Sequence, residues 1–214
     1  MNENINKLFS HLDKWRHFPA YQLERRADIF FSIYLSDYLK NEMGYDVESI
    51  IPEYPIRIGA INPQIGINKS YKVDYLIKLR DDNRVLFIEL KTDTLSRRTK
   101  QDDYLIAAKE VGMYSLLSGL KNIYKAMSSK NKYKHLLREL DGAGFIRYTD
   151  NGDFEIVNNE YEISILYIQP TGCGEDIINF QQLAIFIEEK YDDYLSKRFS
   201  QSLKEWSSTL AGAH

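Results

Sequence analysis

The chain predicts an α/β fold: a mixed central β-sheet flanked by helices, with a helix, three strands, a second helix and a fourth strand as its core. Three observations lead there. Two runs, Lys72 to Arg80 and Arg84 to Thr92, alternate apolar and polar residues on either side of the turn-forming Asp81-Asp82-Asn83. Long stretches before and after them carry apolar residues at helical spacing. A late apolar run, Tyr161 to Gln169, is stopped by Pro170.

Taken in order, Ala20 to Met43 places Leu23, Ala27, Phe30, Tyr34 and Tyr38 on one stripe and meets Gly44, a residue that ends helices. Ser49 to Ile58 reads as a strand interrupted by Pro52 and Pro55, hence an edge or bulged strand. Asn62 to Ser70 is a loop of Gly, Asn and Pro, and the two alternating runs follow as strands two and three. Gln101 to about Leu120 is the second helix, with Leu105, Ala108, Met113 and Leu116 inward. Tyr124 to Leu140 is a helical insertion that ends at Asp141-Gly-Ala-Gly. Tyr161 to Gln169 is the fourth strand, and one C-terminal helix spans Asn179 to about Thr209.

The two alternating runs form an antiparallel hairpin. Val73, Tyr75, Ile77 and Leu79 share its greasy face with Leu86, Ile88 and Leu90 only if paired positions sum to an odd number. The same parity puts Asp74, Leu76, Phe87, Glu89 and Lys91 on the other face. A two-residue loop at Asp82-Asn83 satisfies it and sets Asp74 opposite Lys91. Asp74 and Glu89 supply hard oxygen ligands for Mg²⁺ or Mn²⁺, which take one or two protein carboxylates and fill the rest of the shell with water and phosphate oxygens. An ammonium beside them, Lys91, can orient a water and offset the charge that develops on a phosphate under attack. The tripeptide Glu-x-Lys alone carries little weight, because Glu188-Glu189-Lys190 repeats it in a helical segment.

Val73-Asp74 followed by Glu89-Leu90-Lys91 resembles the signature of the PD-(D/E)xK nuclease superfamily, with Val73 in place of the motif's proline. The resemblance covers about Ala20 to about Pro170. It implies the restriction-endonuclease-like αβββαβ core, here with a helical insertion and a C-terminal helix added, and a metal-dependent nuclease that hydrolyses phosphodiester bonds, in DNA before RNA. Asp74 and Glu89 would be the metal ligands and Lys91 the water-orienting residue. In many such families a Glu on the first helix points toward the metal; Glu24 is the matching position, with Asp28 one turn later as competitor and Glu53 on the first strand as a weaker one. RecB-like members carry Gln-x-x-x-Tyr on the helix after the third strand. Gln101 and Tyr104 are one residue closer than that, so Gln101 is at most a supporting residue at the helix start.

Composition fits one domain over residues 1 to 214: at 43% hydrophobic and 28% charged, the chain can bury a core without covalent staples. The single cysteine, Cys173, rules out an internal disulfide and a cysteine-based zinc site. No long apolar span or signal-peptide pattern is visible, which makes a cytoplasmic protein with no membrane partner the default. His11, His17, His135 and His214 lack ligand spacing, and no complete dinucleotide or phosphate-binding glycine motif occurs.

The formal net charge is −3, yet its distribution is uneven. From Lys91 to Arg138 there are 11 basic and 4 acidic residues, a net of +7, which leaves −10 for the remainder. Arg97, Arg98, Lys100, Lys121 and Lys125 are the candidates to hold a nucleic-acid backbone by phosphate contacts. The competing function class is a nuclease-like fold that binds nucleic acid or protein without cleavage, as a subunit of a larger defence or repair system. The C-terminal helix, with Phe186, Tyr194, Phe199 and Trp206, is then the surface for a protein partner or homodimer, and an exposed Trp206 would mark it.

Overall fold

A computed structural model describes residues 2–64, 69–93, 99–149, 153–157 and 160–208. The chain runs α1 (Asn2–Trp15), α2 (Glu24–Met43), β1 (Val47–Arg57), the one-turn α3 (Ile58–Ile61), β2 (Ser70–Leu79), β3 (Arg84–Leu90) and α4 (Thr99–Ala126). A 3₁₀ turn at Lys130–Tyr133 leads to α5 (Lys134–Gly142), β4 (Ile146–Tyr148), β5 (Phe154–Ile156), β6 (Glu162–Gln169), β7 (Ile177–Asn179), α6 (Phe180–Lys190) and α7 (Tyr194–Ser208). Five strands form one sheet in the order β1-β2-β3-β6-β7, and β4 pairs with β5 separately. The protein is thus α/β, with a mixed sheet flanked by helices. β1, β2 and β3 are mutually antiparallel, whereas β6 and β7 are parallel. The Glu162 N–H donates to the Asn83 carbonyl and the Lys91 N–H to the Ile168 carbonyl, each at 2.7 Å, so β3 and β6 also run parallel.

Contacts divide the chain into two compact units. The first comprises the chain up to Asp46, the segment that begins at Leu90, and the chain from Leu166; the second comprises Val47–Glu89 and the later stretch that ends at Ile165.

In the first unit, α2 starts at Glu24, four residues later than the apolar stripe suggests, because Ala20 has a φ of 96° and cannot continue a helix. It ends as expected at Gly44, whose φ of 72° suits a residue without Cβ. Its buried residues include Ala27, Phe31, Tyr34, Leu35, Tyr38 and Leu39. The expected single C-terminal helix is two helices. Tyr191 is extended, and the Asp193 carboxylate accepts from the Ser196 N–H at 3.0 Å, so a new helix is capped three residues after the old one stops. Aromatic rings fill the space between helices. Phe9 meets Phe30 at 4.8 Å, and Phe199 meets Phe31 at 5.2 Å and Trp206 at 6.2 Å. Trp206 is only 1% exposed, which removes it as a marker of a partner surface.

In the second unit, β1 lies at the sheet edge, where its two prolines are tolerated, and has a register shift between Val47 and Ser49. The hairpin differs from expectation in one respect. Four residues, Arg80 to Asn83, join β2 and β3, and the pairs Tyr75↔Ile88, Leu76↔Phe87, Ile77↔Leu86 and Lys78↔Val85 shift the register by two while keeping the odd parity. Asp81 takes a φ of 51°, and the Asp82 carboxylate accepts from the Arg84 backbone N–H at 2.9 Å and pairs with its guanidinium at 2.6 Å. This closes the longer turn and replaces the expected loop at Asp82-Asn83. Helix α4 runs to Ala126, past the expected end near Leu120, and contains Gly112 at φ 74°, ψ 168°, a break that only glycine adopts readily. The insertion therefore holds the 3₁₀ turn and α5 in place of one helix from Tyr124 to Leu140.

Among the described residues, no helix is long and apolar enough to cross a membrane.

Candidate functional site

The last ladder pair of the hairpin is Tyr75↔Ile88, and Asp74 and Glu89 are the residues next to it on the two strands. This corrects the expected opposition of Asp74 to Lys91: the four-residue turn moves β3 by two positions. On the other side of β2, the pairs Pro52↔Tyr75 and Tyr54↔Val73 bracket Glu53 across from Asp74. Glu53 has a φ of 54°, is exposed, and forms an ion pair with Lys72.

Burial separates this motif from its look-alike. Glu89 and Lys91 are each 2% exposed, and they are the only charged side chains among the buried residues described. By contrast Glu188, Glu189 and Lys190 are all exposed, with Lys190 paired to Asp37 at 3.1 Å and Glu188 to Lys204 at 2.5 Å. Asp74 is half-buried. Burying an ammonium or a carboxylate costs several kcal/mol per ion before any pairing. Solvated decoration therefore does not describe Glu89 and Lys91.

A tyrosine that sequence spacing did not single out lies beside Glu89. The Tyr71 hydroxyl donates to Glu89 Oε2 at 2.6 Å, and the Tyr71 ring contacts that of Tyr104 at 5.7 Å. The only sequence signal was its place three residues before Asp74. Gln101, in the first turn of α4, is half-buried, and its Oε1 is buried with no hydrogen-bond partner among the described residues. Tyr104 lies one turn further along the same helix. The shortened Gln-x-x-Tyr spacing thus places its tyrosine against Tyr71.

Glu24, the first residue of α2, and Asp28, one turn later, are both half-buried and belong to the first unit, as does Lys91. Asp74, Glu89 and Gln101 belong to the second.

Of the basic candidates, Arg97 and Arg98 lie outside the described residues, as does the side chain of Lys100. Lys121 has structural work: its ammonium donates to the Phe154 carbonyl and pairs with Asp153 at 3.4 Å. Backbone donation by Phe154 and the Lys121 charge hold the Asp153 carboxyl below its usual range. Lys125, Lys132, Lys134 and Arg138 are exposed, and Lys130 lies 5.3 Å from the centre of the buried Tyr124 ring.

Among the described residues, no group of three or more His, Cys, Asp or Glu side chains is placed to hold a metal ion. The donors at hand do not fit a closed zinc or calcium cage. Asp74 and Glu89 are carboxylates of the kind that Mg²⁺ or Mn²⁺ takes from a protein, one or two at a time.

Compared with models of known protein families, with characterised proteins and with solved structures, the chain matches none.

Proposed function

We propose that the protein is a metal-dependent nuclease that hydrolyses phosphodiester bonds, most readily in DNA, on a restriction-endonuclease-like αβββαβ core. The observation that carries this reading is the burial of Glu89 and Lys91, two residues apart, where the helical copy of the same tripeptide is solvated. Stability does not account for two such buried charges, since burying each ion costs several kcal/mol before any pairing. Charged groups kept in the dry interior at that cost are the kind a reaction uses.

Each residue has a role in this reading. Asp74 and Glu89 would hold the cation. Mg²⁺ or Mn²⁺, when bound, supplies the positive charge that draws a phosphate and acidifies water. The Lys91 ammonium orients the attacking water and offsets charge gathering on the phosphate oxygens, more strongly in a dry site than it could in solution. Gln101 brings a buried carbonyl oxygen, without a partner among the described residues, that can accept from water or from a nucleotide. The exposed lysines from Lys125 to Lys134 hold the backbone, which positions a nucleic acid without reading its sequence.

The test is to incubate the protein and Lys91→Ala with plasmid and single-stranded DNA in Mg²⁺ or Mn²⁺. Cleavage by the parent chain and not by the variant supports the proposal. Equal cleavage by both removes Lys91 from the mechanism, and no cleavage of any substrate favours a binding subunit.

A further inference from the structure

We propose that the turn between α1 and α2 is a platform for the unpaired bases of a single strand of nucleic acid. Trp15, Phe18 and Tyr21 take bases against their rings, and Lys14, Arg25 and Arg26 take phosphates. The inference goes beyond the metal site, since it concerns binding and needs no cleavage. From Lys14 to Arg26 there are four basic residues and one acidic one, a net of +3 in a chain whose net is −3, with three aromatic rings among them. All of this segment belongs to the first unit.

The rings are held in place yet open to water. Phe18 is 52% exposed and Trp15 38%. Helix α1 stops at Trp15, and the chain then folds back on itself: the Phe18 N–H donates to the Trp15 carbonyl at 2.8 Å and the Tyr21 N–H to the Phe18 carbonyl at 3.0 Å, with Ala20 at a φ of 96°. Trp15 stacks on His11 at 4.3 Å, the rings within 8° of parallel, and meets the Tyr21 ring edge-on at 6.1 Å. The Arg26 guanidinium lies 4.6 Å from the centre of the Tyr21 ring. His11, Trp15, Tyr21 and Arg26 therefore form one continuous run of rings and cation. Bases add to such a surface by stacking, whatever their sequence, because each has a π-face.

Charge decides the occupant. Lys14, His17, Arg25 and Arg26 are exposed around the rings, whereas the neighbouring carboxylates are withdrawn: Asp13 is taken by Arg198 and the Trp206 indole, and Glu24 is half-buried. Arg16 turns inward, 5.8 Å from the centre of the Trp206 ring, and is no part of the platform. Cations set beside open rings match a strand that carries phosphates and bases in alternation. A duplex matches less well, since its base faces are covered by their neighbours. A lipid surface is also the poorer match, because the apolar side of α1, Phe9 and Leu12, is already buried within the protein.

The experiment is binding of an end-labelled oligothymidylate about 16 nucleotides long to the full chain in EDTA, with the same strand annealed to its complement alongside. Label anisotropy and tryptophan emission are followed for the parent, Phe18→Ala, Trp15→Phe and the double variant Lys14→Ala with Arg25→Ala, and thermal melts check each fold. The expected result is tighter binding of the strand than of the duplex, and strand affinity at least about 5-fold weaker in Phe18→Ala with duplex affinity and melt close to the parent's. The bound strand quenches the exposed Trp15; Trp15→Phe, which leaves only the buried Trp206, binds without quenching. The double variant lowers the slope of log affinity against log salt by about 1.4, at about 0.7 for each phosphate contact. Parent-like strand affinity in Phe18→Ala, or equal affinity for strand and duplex, overturns the platform. So does a Trp15 emission that answers phosphatidylserine vesicles and not the oligonucleotide, or a parent chain that binds no oligonucleotide. Plasmid cleavage in Mg²⁺ that persists in those cases leaves the nuclease reading standing, whereas strand binding through Phe18 with no cleavage of any substrate supports the platform and removes the nuclease reading alone.

Discussion

Asp13, near the end of the first helix, accepts from the indole Nε1–H of Trp206 on the last helix at 2.8 Å. Its other carboxylate oxygen pairs with Arg198, and both side chains of that pair are largely buried, at 11% and 17% exposed. One carboxylate therefore answers two donors on α7. Asp13→Ala leaves an indole N–H and a guanidinium without their acceptor, and we expect it to cost roughly 2–4 kcal/mol. Urea unfolding measures this; a change under about 0.5 kcal/mol would show that water replaces the carboxylate at no cost.

A second prediction concerns pH. The Tyr191 hydroxyl donates to Asp37, and Lys190 sits 3.1 Å from the same carboxylate. Burial first, then the Asp37 charge, pushes the Tyr191 hydroxyl well above its usual range, while the Tyr191 hydrogen bond first, then Lys190, holds the Asp37 carboxyl below its own. The depressed acid contributes stability above its unfolded value of about 4 and loses it as pH falls through the lower folded value. The raised phenol contributes stability below its unfolded value of about 10 and loses it as pH rises toward the folded one. Tyr191→Phe should be less stable than the parent at neutral pH, with the gap narrowing above about pH 10. Thermal melts across that window decide it, and a gap that does not change with pH would count against the coupling.

Tyr54 offers the opposite kind of test. Its hydroxyl, on β1, is buried without a hydrogen-bond partner among the described residues, and burial drives its ionisation far upward. An unpaired buried hydroxyl costs about 1–3 kcal/mol. Tyr54→Phe should therefore leave the protein as stable or more so, by up to about 1 kcal/mol, in chemical denaturation. A clear loss of stability would mean that an ordered water satisfies the hydroxyl.

The two Glu-x-Lys copies provide an internal control. Glu89→Gln and Lys91→Ala should each lower cleavage by at least about 100-fold, in the range seen when a group that stabilises developing charge is removed. Glu189→Gln, exposed on α6, should leave it unchanged. Equal losses from Glu89→Gln and Glu189→Gln would show that neither copy marks the site.

Much of this architecture could be read from residue patterns, and the exceptions have physical causes. Alternation over Val73 to Leu79 and Leu86 to Leu90 was enough for the hairpin and its parity, since a slip of one residue would set the apolar face of one strand against the mixed face of the other. It could not fix the turn length, because a shift of two preserves every face; only the left-handed Asp81 and the Asp82-Arg84 contacts decide it. Helix α1 went unseen because Phe9 and Leu12 are its only buried residues. The break between α6 and α7 has no glycine or proline, and Asp193 acts there as a cap only because Tyr191 is extended. Strands β4 and β5, at three residues each, are too short to show a period. For the site, sequence spacing named Asp74, Glu89 and Lys91. Their different exposure from Glu188-Glu189-Lys190 came from folding, and Tyr71 came only from the coordinates of its hydroxyl.

The Arg80 to Asn83 turn bears on how this protein can be altered. The position of β3 is held along its length by β2 on one side and, through Asn83 and Lys91, by β6 on the other. These ladder contacts hold the alignment alongside the Asp81 and Asp82-Arg84 contacts that set the turn. Added segments at Asp81-Asp82, an affinity tag or a fluorophore-bearing peptide, should be carried on the outside of the protein at small entropic expense, since loop closure grows only slowly with length. That gives a handle on the same hairpin as Asp74 and Glu89, at its opposite end.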